Sequence, residues 1–383
     1  MAKKEKEVVN RFELLLASEA LEKFKKLKST AGLIETADTL AEIPTGRIST
    51  GILSLDAATG GGFPAGGFTM LYGHEHSGKS TIFLKAIANA QKQCAFCHTR
   101  PNAKGKCVCG EFRPTTAAIV DMEGAFDPIW ARKLGIDTSR VLVHKPGSGE
   151  EAVDFMDTMV QSGCDLIMLD SLAYLTPTKE LEACAEDAQK QMGLQARMIG
   201  SAIRRLVALC NAQQAQDTKR VTMFVTNQIR YKTGVIYGNP ETMSGGQSPK
   251  FWMDVIIRLT GKLQGDKNTS EMTHQDITFK VTKLRGASTM MDGDIRISLI
   301  DSGLYKPGDS YDVNFILDKA ELHGLLRKEG KTWQLGKVDD FVEFPRREAI
   351  IEGLNEDPNL RSVVSKDLME RILGHWKPAP EPT

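Results

Sequence analysis

The sequence predicts an α/β fold in which helices cover both faces of a doubly wound, mostly parallel sheet. Helical stretches such as 79–90, 150–161 and 194–212 alternate with short apolar runs, which is typical of such a sheet. The runs are nearly continuous, as expected for parallel strands that are buried on both faces. These predicted strands span 69–72, 117–120, 166–169 and 221–226. Later runs alternate more and predict further strands at 254–260, 277–284 and 295–300.

A phosphate-binding loop motif, G-x-x-x-x-G-K-[ST], lies between the first predicted strand and the helix at 79–90. Glycines let the backbone curl so that several N–H groups point at one phosphate, and a helix N-terminus strengthens the attraction. Lys79 would reach the outer phosphates, and the Ser80 hydroxyl would hold Mg²⁺. The predicted nucleotide-binding residues of this loop are Gly73, His74, Glu75, His76, Ser77, Gly78, Lys79, Ser80 and Thr81.

Polar side chains end the later predicted strands, at the sheet edge where ligands of such folds bind. Asp170 is placed to hold Mg²⁺ beside Ser80. Glu123 is placed to orient and deprotonate an attacking water, and Asp121 at the same strand end is an alternative base. The amides at 227–228 could sense the outer phosphate without carrying charge. Magnesium ligand, base and sensor would then share one rim of the sheet.

The composition limits the class of protein. The chain has 383 residues, 49 basic and 49 acidic side chains, and a hydrophobic share of 41%. This share is ample for a core, while the balanced charge predicts nucleic-acid contact only through a local patch. The charged start and the short apolar run at 14–17 predict neither a signal peptide nor a membrane span, so a cytoplasmic location is expected.

Changes in pattern predict three segments. Residues 1–44 are charged, with apolar side chains at spacings of three or four. They predict a helical arm that either packs on the core or docks on a neighbouring subunit. Residues 45–305 carry the alternation of strands and helices, and 306–383 predict a small α+β C-terminal domain with a frayed, Pro-rich tail.

A cysteine cluster lies in the segment 93–114, which is much longer than the about 2–6 residues usual between a helix and a strand. Its members are Cys94, Cys97, Cys107 and Cys109. Four thiolates in two close pairs suit tetrahedral Zn²⁺, with His98 as an alternative ligand. So small a loop has little core to hold it without metal. Reactive or incidental thiols are the alternative, and the zinc could serve a partner, DNA or an adjacent protomer.

Several segments resemble the RecA-type recombinases over most of residues 48–330. The resemblance is most specific at 238–242, Gly-Asn-Pro-Glu-Thr, which is followed by Gly245 and Gly246. The other matching segments are 48–56, 127–137, 192–198 and 226–230. The family usually has a short turn where this chain carries the segment 93–114, so that segment is interpreted as a zinc-binding insertion.

The resemblance implies a RecA-like P-loop ATPase core that binds ATP, Mg²⁺ and DNA, with an oligomerisation arm at 1–44. Members polymerise on single-stranded DNA as a helical filament with ATP between subunits. The filament pairs its strand with a homologous double-stranded DNA and exchanges strands, and ATP hydrolysis drives turnover. Loading or mediator proteins are possible further partners.

The resemblance also implies roles for individual residues. Glu123 matches the catalytic glutamate, and Gln228 matches the residue that couples the outer phosphate to the DNA loop. Asp127 and Trp130 match positions around the adenine, and an aromatic ring at 130 can stack on the base. Two basic residues match those that reach the outer phosphate of the adjoining subunit, and they are Lys283 and Arg285.

Two loops would face DNA, one near 180–192 and one from 229 to about 247. Flexible backbone with scattered cations suits a phosphate track. The predicted DNA-binding residues are Met192, Arg197, Arg204, Arg230, Lys232, Tyr237, Gly245 and Gly246. A solvated helix face is the alternative interpretation of Arg197 and Arg204. Thr260, Gly261 and Thr278 replace the basic residues that usually form a second, weaker duplex site in the family.

Two other classes of function stay open on the sequence. A ring-shaped motor or branch-migration helicase uses the same core, and some relatives of that kind carry a four-cysteine zinc element before it. A non-hydrolysing nucleotide switch is the third possibility, although Glu123 argues against it. Filaments, rings or neither in electron micrographs with DNA and ATP would separate the three.

Overall fold

A computed structural model describes residues 46–102, 104–183, 193–217, 220–231, 240–246, 248–265, 271–285 and 292–374. The predicted arm at 1–44 and the Pro-rich tail lie outside these residues. None of the described helices combines the length and the apolar character that a membrane crossing requires.

The described strands, in chain order, are β1 (Arg47–Ile48), β2 (Phe63–Pro64), β3 (Phe68–Gly73), β4 (Lys106–Cys107), β5 (Gly110–Glu111), β6 (Ala117–Asp121), β7 (Val141–His144), β8 (Leu166–Asp170), β9 (Thr222–Tyr231), β10 (Glu241–Met243), β11 (Val255–Gly265), β12 (Met272–Leu284), β13 (Asp292–Ser298), β14 (Leu326–Glu329), β15 (Thr332–Lys337) and β16 (Asp340–Phe344).

The described helices, in chain order, are α1 (Leu53–Ala58), α2 (Lys79–Ala90), α3 (Pro128–Lys133), α4 (Gly149–Gln161), α5 (Thr178–Glu182), α6 (Leu194–Asp217), α7 (Ser248–Trp252), α8 (Val313–Leu322), α9 (Arg347–Glu356) and α10 (Pro358–Ile372). Single 3₁₀ turns are present at Thr138–Arg140 and Leu172–Tyr174.

Within the described residues, the main sheet has nine strands in the order β13-β12-β11-β3-β9-β8-β6-β7, with β10 added beside β9. The strands from β11 to β7 run parallel, whereas β12, β13 and β10 pair with their neighbours in antiparallel fashion. All seven predicted strands are present, and α2, α4 and α6 match the predicted helices. The doubly wound, mostly parallel sheet is therefore confirmed.

Two features of the sheet differ from the sequence prediction. Strand β7 was not predicted, because it lies at the sheet edge and its residues are not a buried run; Leu142, for example, is 60% exposed. Strand β9 continues to Tyr231, because β10 pairs with its residues Ile229–Tyr231. The predicted start of the second DNA loop at 229 is therefore wrong, since the chain is still in the sheet there.

Neighbouring residues of the parallel strands face opposite layers, as the two-residue period of a strand requires. Leu71 and Ile119 pack on the side of α2, whereas Met70 and Val120 pack on the side of α4 and α6. Stacked rings of Phe83 on α2 and a strand phenylalanine on β9 lie 4.6 Å apart at their centroids. These two apolar layers fix the strands and so fix which side chains reach the carboxyl edge of the sheet.

Residues beyond 306 form an antiparallel sheet, β14-β15-β16, covered by α8, α9 and α10. Ile316, Leu325, Ile350 and Leu368 belong to its separate apolar cluster. The secondary structure is the α+β mixture that the sequence indicates. The domain boundaries at 44/45 and 305/306 stay predictions.

Candidate nucleotide site and cysteine cluster

A cavity of about 360 Å³ opens at the carboxyl edge of the parallel sheet, between the phosphate loop and the ends of β6, β8 and β9. This is the edge at which ligands of doubly wound folds bind. The structure brings seven of the nine predicted loop residues to the cavity wall, together with three predicted strand-end residues. The lining consists of Glu75, His76, Ser77, Gly78, Lys79, Ser80, Thr81, Glu123, Ala125, Asp170, Gln228, Leu263 and Gln275.

Two glycines of the phosphate loop are required by its geometry. A Cβ on Gly73 would lie 2.3 Å from the carbonyl oxygen of Leu259 on β11. Gly78 has a φ of +84° at the residue before α2, and a Cβ there would lie 2.4 Å from Cδ1 of Ile277. Both positions therefore need glycine, and the loop passes directly into the first turn of the helix. Its N–H groups and the helix N-terminus together favour an anion.

Lys79 is the buried cation of the cavity, with 8% of its surface exposed. Its Nζ donates a hydrogen bond of 2.7 Å to the carbonyl oxygen of His74 and approaches the carbonyl oxygen of Gly73 at 3.4 Å. Burial lowers the pKa of Lys79, while the carboxylates of Glu123 and Asp170 oppose that shift. The ammonium is therefore held at the loop, where a phosphate would replace weaker carbonyl partners.

Ser80 and Asp170 meet at the cavity wall. The Ser80 hydroxyl donates to Asp170 Oδ2 at 2.6 Å, and the Thr226 hydroxyl donates to Asp170 Oδ1 at 2.6 Å. A hydroxyl and a carboxylate in contact form an all-oxygen donor set, which suits Mg²⁺ beside a phosphate. Thr226 orients the carboxylate from the neighbouring strand, so the two residues predicted to hold Mg²⁺ fit that ion.

Glu123 lies at the cavity mouth, just after β6. Gln228 Nε2 lies 3.5 Å from Glu123 Oε1 and 3.4 Å from the Tyr174 hydroxyl. Partial burial and the nearby Asp170 charge raise the pKa of Glu123, which strengthens it as a base. A backbone hydrogen bond also holds Glu123 in place, because the Glu123 N–H donates to the carbonyl oxygen of Asp170 at 3.3 Å.

Asp121, the alternative base, has a different environment. It is buried, and its carboxylate accepts hydrogen bonds from the backbone N–H groups of Ala125 and Phe126 at 3.0 and 3.1 Å. It also lies 3.7 Å from Lys145. Asp121 thus shapes the turn that carries Glu123 and does not line the cavity, so the geometry favours Glu123.

The residues predicted around the adenine lie apart from the cavity lining. Asp127 caps α3 by accepting from the Ile129 N–H at 2.7 Å, and Trp130 packs partly against the main core.

The two cations predicted to act on the adjoining subunit also lie outside the cavity lining. Lys283 Nζ donates to the carbonyl oxygen of Lys250 at 2.7 Å, and Arg285 pairs with Asp254 at 2.8 Å. The roles of Asp127, Trp130 and these two cations all stay predictions.

Several predicted DNA-binding residues lie outside the described residues, namely Met192, Lys232 and Tyr237. Among the others, Arg197 and Arg204 are exposed on α6, and Arg230 is exposed near the end of β9. Gly245 and Gly246 both have positive φ in the turn after β10, and a Cβ on Gly245 would lie 2.9 Å from Ile199. Their DNA contacts stay predictions.

Sequence reasoning missed side chains that support the site from other strands. Besides Thr226 and Tyr174, the Gln275 amide on β12 donates to the carbonyl oxygen of His76 at 2.5 Å. The Tyr231 hydroxyl lies 3.2 Å from His74 Nε2, and the two rings stack with centroids 6.0 Å apart. Tyr231 thus joins the phosphate loop to the strand that leads into 232–239. No local pattern reveals such contacts, because they depend on strand order and register.

The four clustered cysteines come together in space. All four Sγ atoms lie within 4.8 Å of one another, with Cys94 and Cys109 at 3.7 Å and Cys107 and Cys109 at 3.0 Å. Four thiolates around one Zn²⁺ would stand about 3.8 Å apart, so the donor set fits. Burial alone would raise the pKa of the Cys94 thiol, but surrounding backbone hydrogen bonds lower it to about 6. His98 is not part of this group.

The fold and the site together define a class. A phosphate loop, a serine–carboxylate pair and a glutamate at the carboxyl edge of a doubly wound sheet are the parts of a P-loop nucleoside triphosphatase.

Comparison with known proteins gives the family. The RecA N-terminal domain family matches residues 16–100 and 108–304, so the match is interrupted within the cysteine segment. RecA proteins of Chlorobium chlorochromatii, Chlorobaculum tepidum and Mannheimia haemolytica are each 34% identical to the chain. Those alignments cover 97%, 93% and 93% of this chain and 94%, 92% and 86% of the relatives. The chain belongs to the RecA family, and it is an ATP-dependent DNA recombinase with DNA-dependent ATPase activity.

Proposed function

We propose that this chain assembles on single-stranded DNA as a helical filament with ATP at the joint between two copies. The filament then pairs its strand with a homologous duplex and exchanges strands. The observation that supports this most is the cavity in which Lys79, the Ser80–Asp170 pair and Glu123 converge. The Tyr231 contact with His74 adds a physical route from that cavity to the predicted DNA loop.

Each residue of the cavity has a proposed task. The loop N–H groups and Lys79 bind the phosphates, while Ser80 and Asp170 hold Mg²⁺, which neutralises charge on the phosphates when bound. Glu123 accepts the proton of the attacking water. Gln228 contacts Glu123 from β9, so a change at the outer phosphate reaches the chain segment after Tyr231. Asp127 and Trp130 would contact the adenine.

Lys283 and Arg285 act on the neighbouring subunit in this proposal. Neither lines the cavity of its own chain, and both lie at the end of β12. The Arg285 side chain is 60% exposed although it pairs with Asp254, so it is accessible to an adjoining copy. A cation supplied by a neighbour would stabilise the charge that develops on the outer phosphate and would make hydrolysis depend on assembly.

The cysteine cluster would hold one structural Zn²⁺. Support comes from the four convergent Sγ atoms and from the short β4–β5 hairpin, which pairs only Lys106 with Glu111 and Cys107 with Gly110. So small a hairpin is marginal without a cross-link or metal. We also place the protein in the cytoplasm, with a helical oligomerisation arm at 1–44, and we keep loading or mediator proteins as possible partners.

Strand exchange is the direct test. Purified protein is incubated with circular single-stranded DNA, ATP and Mg²⁺, and then receives a linear duplex that is either homologous or unrelated. We expect joint molecules with the homologous duplex alone, together with filaments in electron micrographs and faster ATP hydrolysis on adding single-stranded DNA. Rings in place of filaments, or joint molecules with both duplexes, would contradict the proposal.

A further inference from the structure

The cysteine segment lies at the sheet edge opposite the nucleotide cavity. Helix α2 starts at the phosphate loop and runs for 12 residues, about 18 Å, before the chain reaches Cys94. The segment then returns through an isolated bridge between Cys94 and Pro114 to the start of β6. We call residues 94–114 the cysteine element. Its distance from the cavity means that its surface can be changed without touching the ATP site.

The cysteine element is basic, although the whole chain is balanced with 49 basic and 49 acidic residues. The element has one exposed acidic side chain, Glu111, and four exposed cations, which are Arg100, Lys104, Lys106 and Arg113. Arg113 forms an ion pair with Asp165 at 2.9 Å. Among the described residues, no ion pair involves the other three cations. Arg100, Lys104 and Lys106 are therefore the cations of the element that have no ion-pair partner among the described residues. The zinc–thiolate cluster beside them would itself carry a formal charge of about −2, so attraction of an anion depends on these three exposed side chains and not on the net charge of the element.

Hydrogen bonds to Asn102 hold the backbone at two of these lysines. Asn102 Oδ1 accepts hydrogen bonds from the N–H groups of Lys104 and Lys106, each at 3.0 Å. The Asn102 N–H donates in turn to the carbonyl oxygen of Lys106 at 2.7 Å, which closes the turn. A preorganised turn loses less entropy on binding than a free chain would. Lysines that project from a closed turn suit a regularly spaced anion such as a phosphate backbone.

Two apolar side chains stand exposed between the cysteines. Phe96 lies between the first two cysteines and is 55% exposed, while Val108 lies between the last two and is 45% exposed. Lys106 is also adjacent in sequence to a cysteine of the cluster. The cluster therefore has a cation and two apolar side chains directly beside its cysteines. An exposed aromatic ring beside cations is the combination that stacks unpaired bases, whereas a duplex keeps its base faces stacked internally.

We propose that the cysteine element is a second binding site for single-stranded DNA, separate from the predicted DNA loops near 180–192 and from 232 to about 247. Arg100, Lys104 and Lys106 contact phosphates, and Phe96 stacks on a base. The inference rests on the proposed zinc site and on the DNA activity of the family. It assigns a ligand to a segment in which the match to the RecA N-terminal domain is interrupted.

The test is the salt dependence of binding to a fluorescent single-stranded oligonucleotide, measured by anisotropy with the full chain. The oligonucleotide is long enough to contact the cysteine element and the predicted DNA loops together, so that each phosphate contact of the element contributes to the observed slope. Arg100→Gln, Lys104→Gln and Lys106→Gln are combined in one variant, which keeps all four cysteines. Each lost phosphate contact lowers the slope of log K against log salt by about 0.7, so the slope should fall by about 2. This corresponds to roughly 50-fold weaker binding at 0.15 M salt. Phe96→Ala should weaken binding roughly tenfold with an unchanged slope.

A matched control replaces Lys133, Lys306 and Lys331, three exposed cations elsewhere on the chain, by Gln. It should keep the slope of the native chain, and all variants should keep their zinc. A native slope in the first variant, or an equal fall in the control, would overturn the inference. So would shorter filaments with unchanged DNA binding, which would assign the element to a second copy. If the native chain bound no DNA and exchanged no strands, the proposed function itself would fail.

Discussion

The two edges of the parallel sheet carry sites that are built in different ways. At the carboxyl edge, the phosphate loop and the side chains from the strands converge although they are up to 200 positions apart in sequence, as Glu75 and Gln275 are. At the opposite edge, the four cysteines fall within one short segment between α2 and β6. None of them belongs to the apolar clusters of the described residues. The first site depends on the whole sheet, whereas the second depends on local chain geometry and, in our proposal, on a bound zinc ion.

This difference predicts how each site responds to change. Side chains of the cavity are held by several neighbours, so a single substitution should alter chemistry while the sheet stays folded. The cysteine element has few apolar contacts, so metal loss should disorder it while the distant cavity keeps its geometry. Five measurements test this contrast.

The largest effect is expected for Lys79→Ala. The substitution removes the buried cation that we propose binds the phosphates. DNA-stimulated ATP hydrolysis should therefore fall about 100-fold or more. Filaments that depend on ATP should disappear as well. The zinc content should stay at one per chain, because the cysteine element lies at the other edge. Normal filaments with ATP, measured by electron microscopy on protein with a native melting temperature, would contradict this.

Glu123→Gln should keep nucleotide binding and lose most turnover, by about 100-fold to 10,000-fold, because an amide cannot accept the proton of water. Asp121→Asn is the matched control. It should lower the melting temperature, since Asp121 accepts two backbone N–H groups, and should affect hydrolysis less. Hydrolysis near the native rate in the Gln variant would exclude Glu123 as the base.

Arg285→Ala should reduce hydrolysis about 100-fold in filaments on DNA and leave the DNA-free rate unchanged, because we propose that Arg285 acts on the nucleotide of a neighbouring subunit. Arg296→Ala provides a comparison, since Arg296 also forms an exposed ion pair, with Asp276 at 2.6 Å. Steady-state ATPase assays over a protein concentration series separate the two states. An equal loss in isolated monomers would refute the trans role.

Cys97→Ser combined with Cys109→Ser should remove the zinc, which metal analysis of the purified protein would show directly. Hydrogen exchange at 94–114 should rise to that of an unprotected chain, while the phosphate loop keeps its protection. DNA-free ATPase activity should be unchanged. Cys210→Ala, at a buried cysteine outside the cluster, should keep one zinc per chain. Zinc-free native protein with full protection at 94–114 would discard the structural metal.

The smallest effect is expected for Tyr231→Phe, which removes only the hydroxyl that contacts His74. One hydrogen bond contributes about 0.5–1.5 kcal/mol, so stimulation of ATPase by DNA should fall about 2-fold to 10-fold. A double-mutant cycle with His74→Phe isolates the coupling between the two residues. Additive effects in that cycle would show that the contact does not connect DNA binding to the cavity.

Much of this architecture could be predicted because it is encoded locally. The phosphate loop combines glycines, Lys79 and Ser80 in one run, and the strands before and after it are apolar runs that any buried parallel strand needs. Asp170 and Glu123 could be predicted because a polar residue after such a run must reach the carboxyl edge. The cysteine pairs were equally visible, since metal ligands require both the residue type and the spacing.

Other parts could not be predicted, because they depend on which strands become neighbours. Thr226 contacts Asp170 only because β9 lies beside β8, and Gln275 reaches the phosphate loop only from β12. The predicted end of β9 was wrong for the same reason, because pairing with β10 extends the strand to Tyr231. Asp121 and Glu123 were alternatives in sequence, and only the direction of each carboxylate separates a turn cap from a cavity residue.

The sequence by itself determined the class of fold, the phosphate loop and the thiol cluster, because short-range periodicity and spacing suffice for each. Tertiary structure decided the order of the strands, the residues that support Lys79 and Asp170, and the placement of the two sites at opposite edges. Hydrogen bonds across strands and close packing act between residues that are distant along the chain, so no local pattern encodes them.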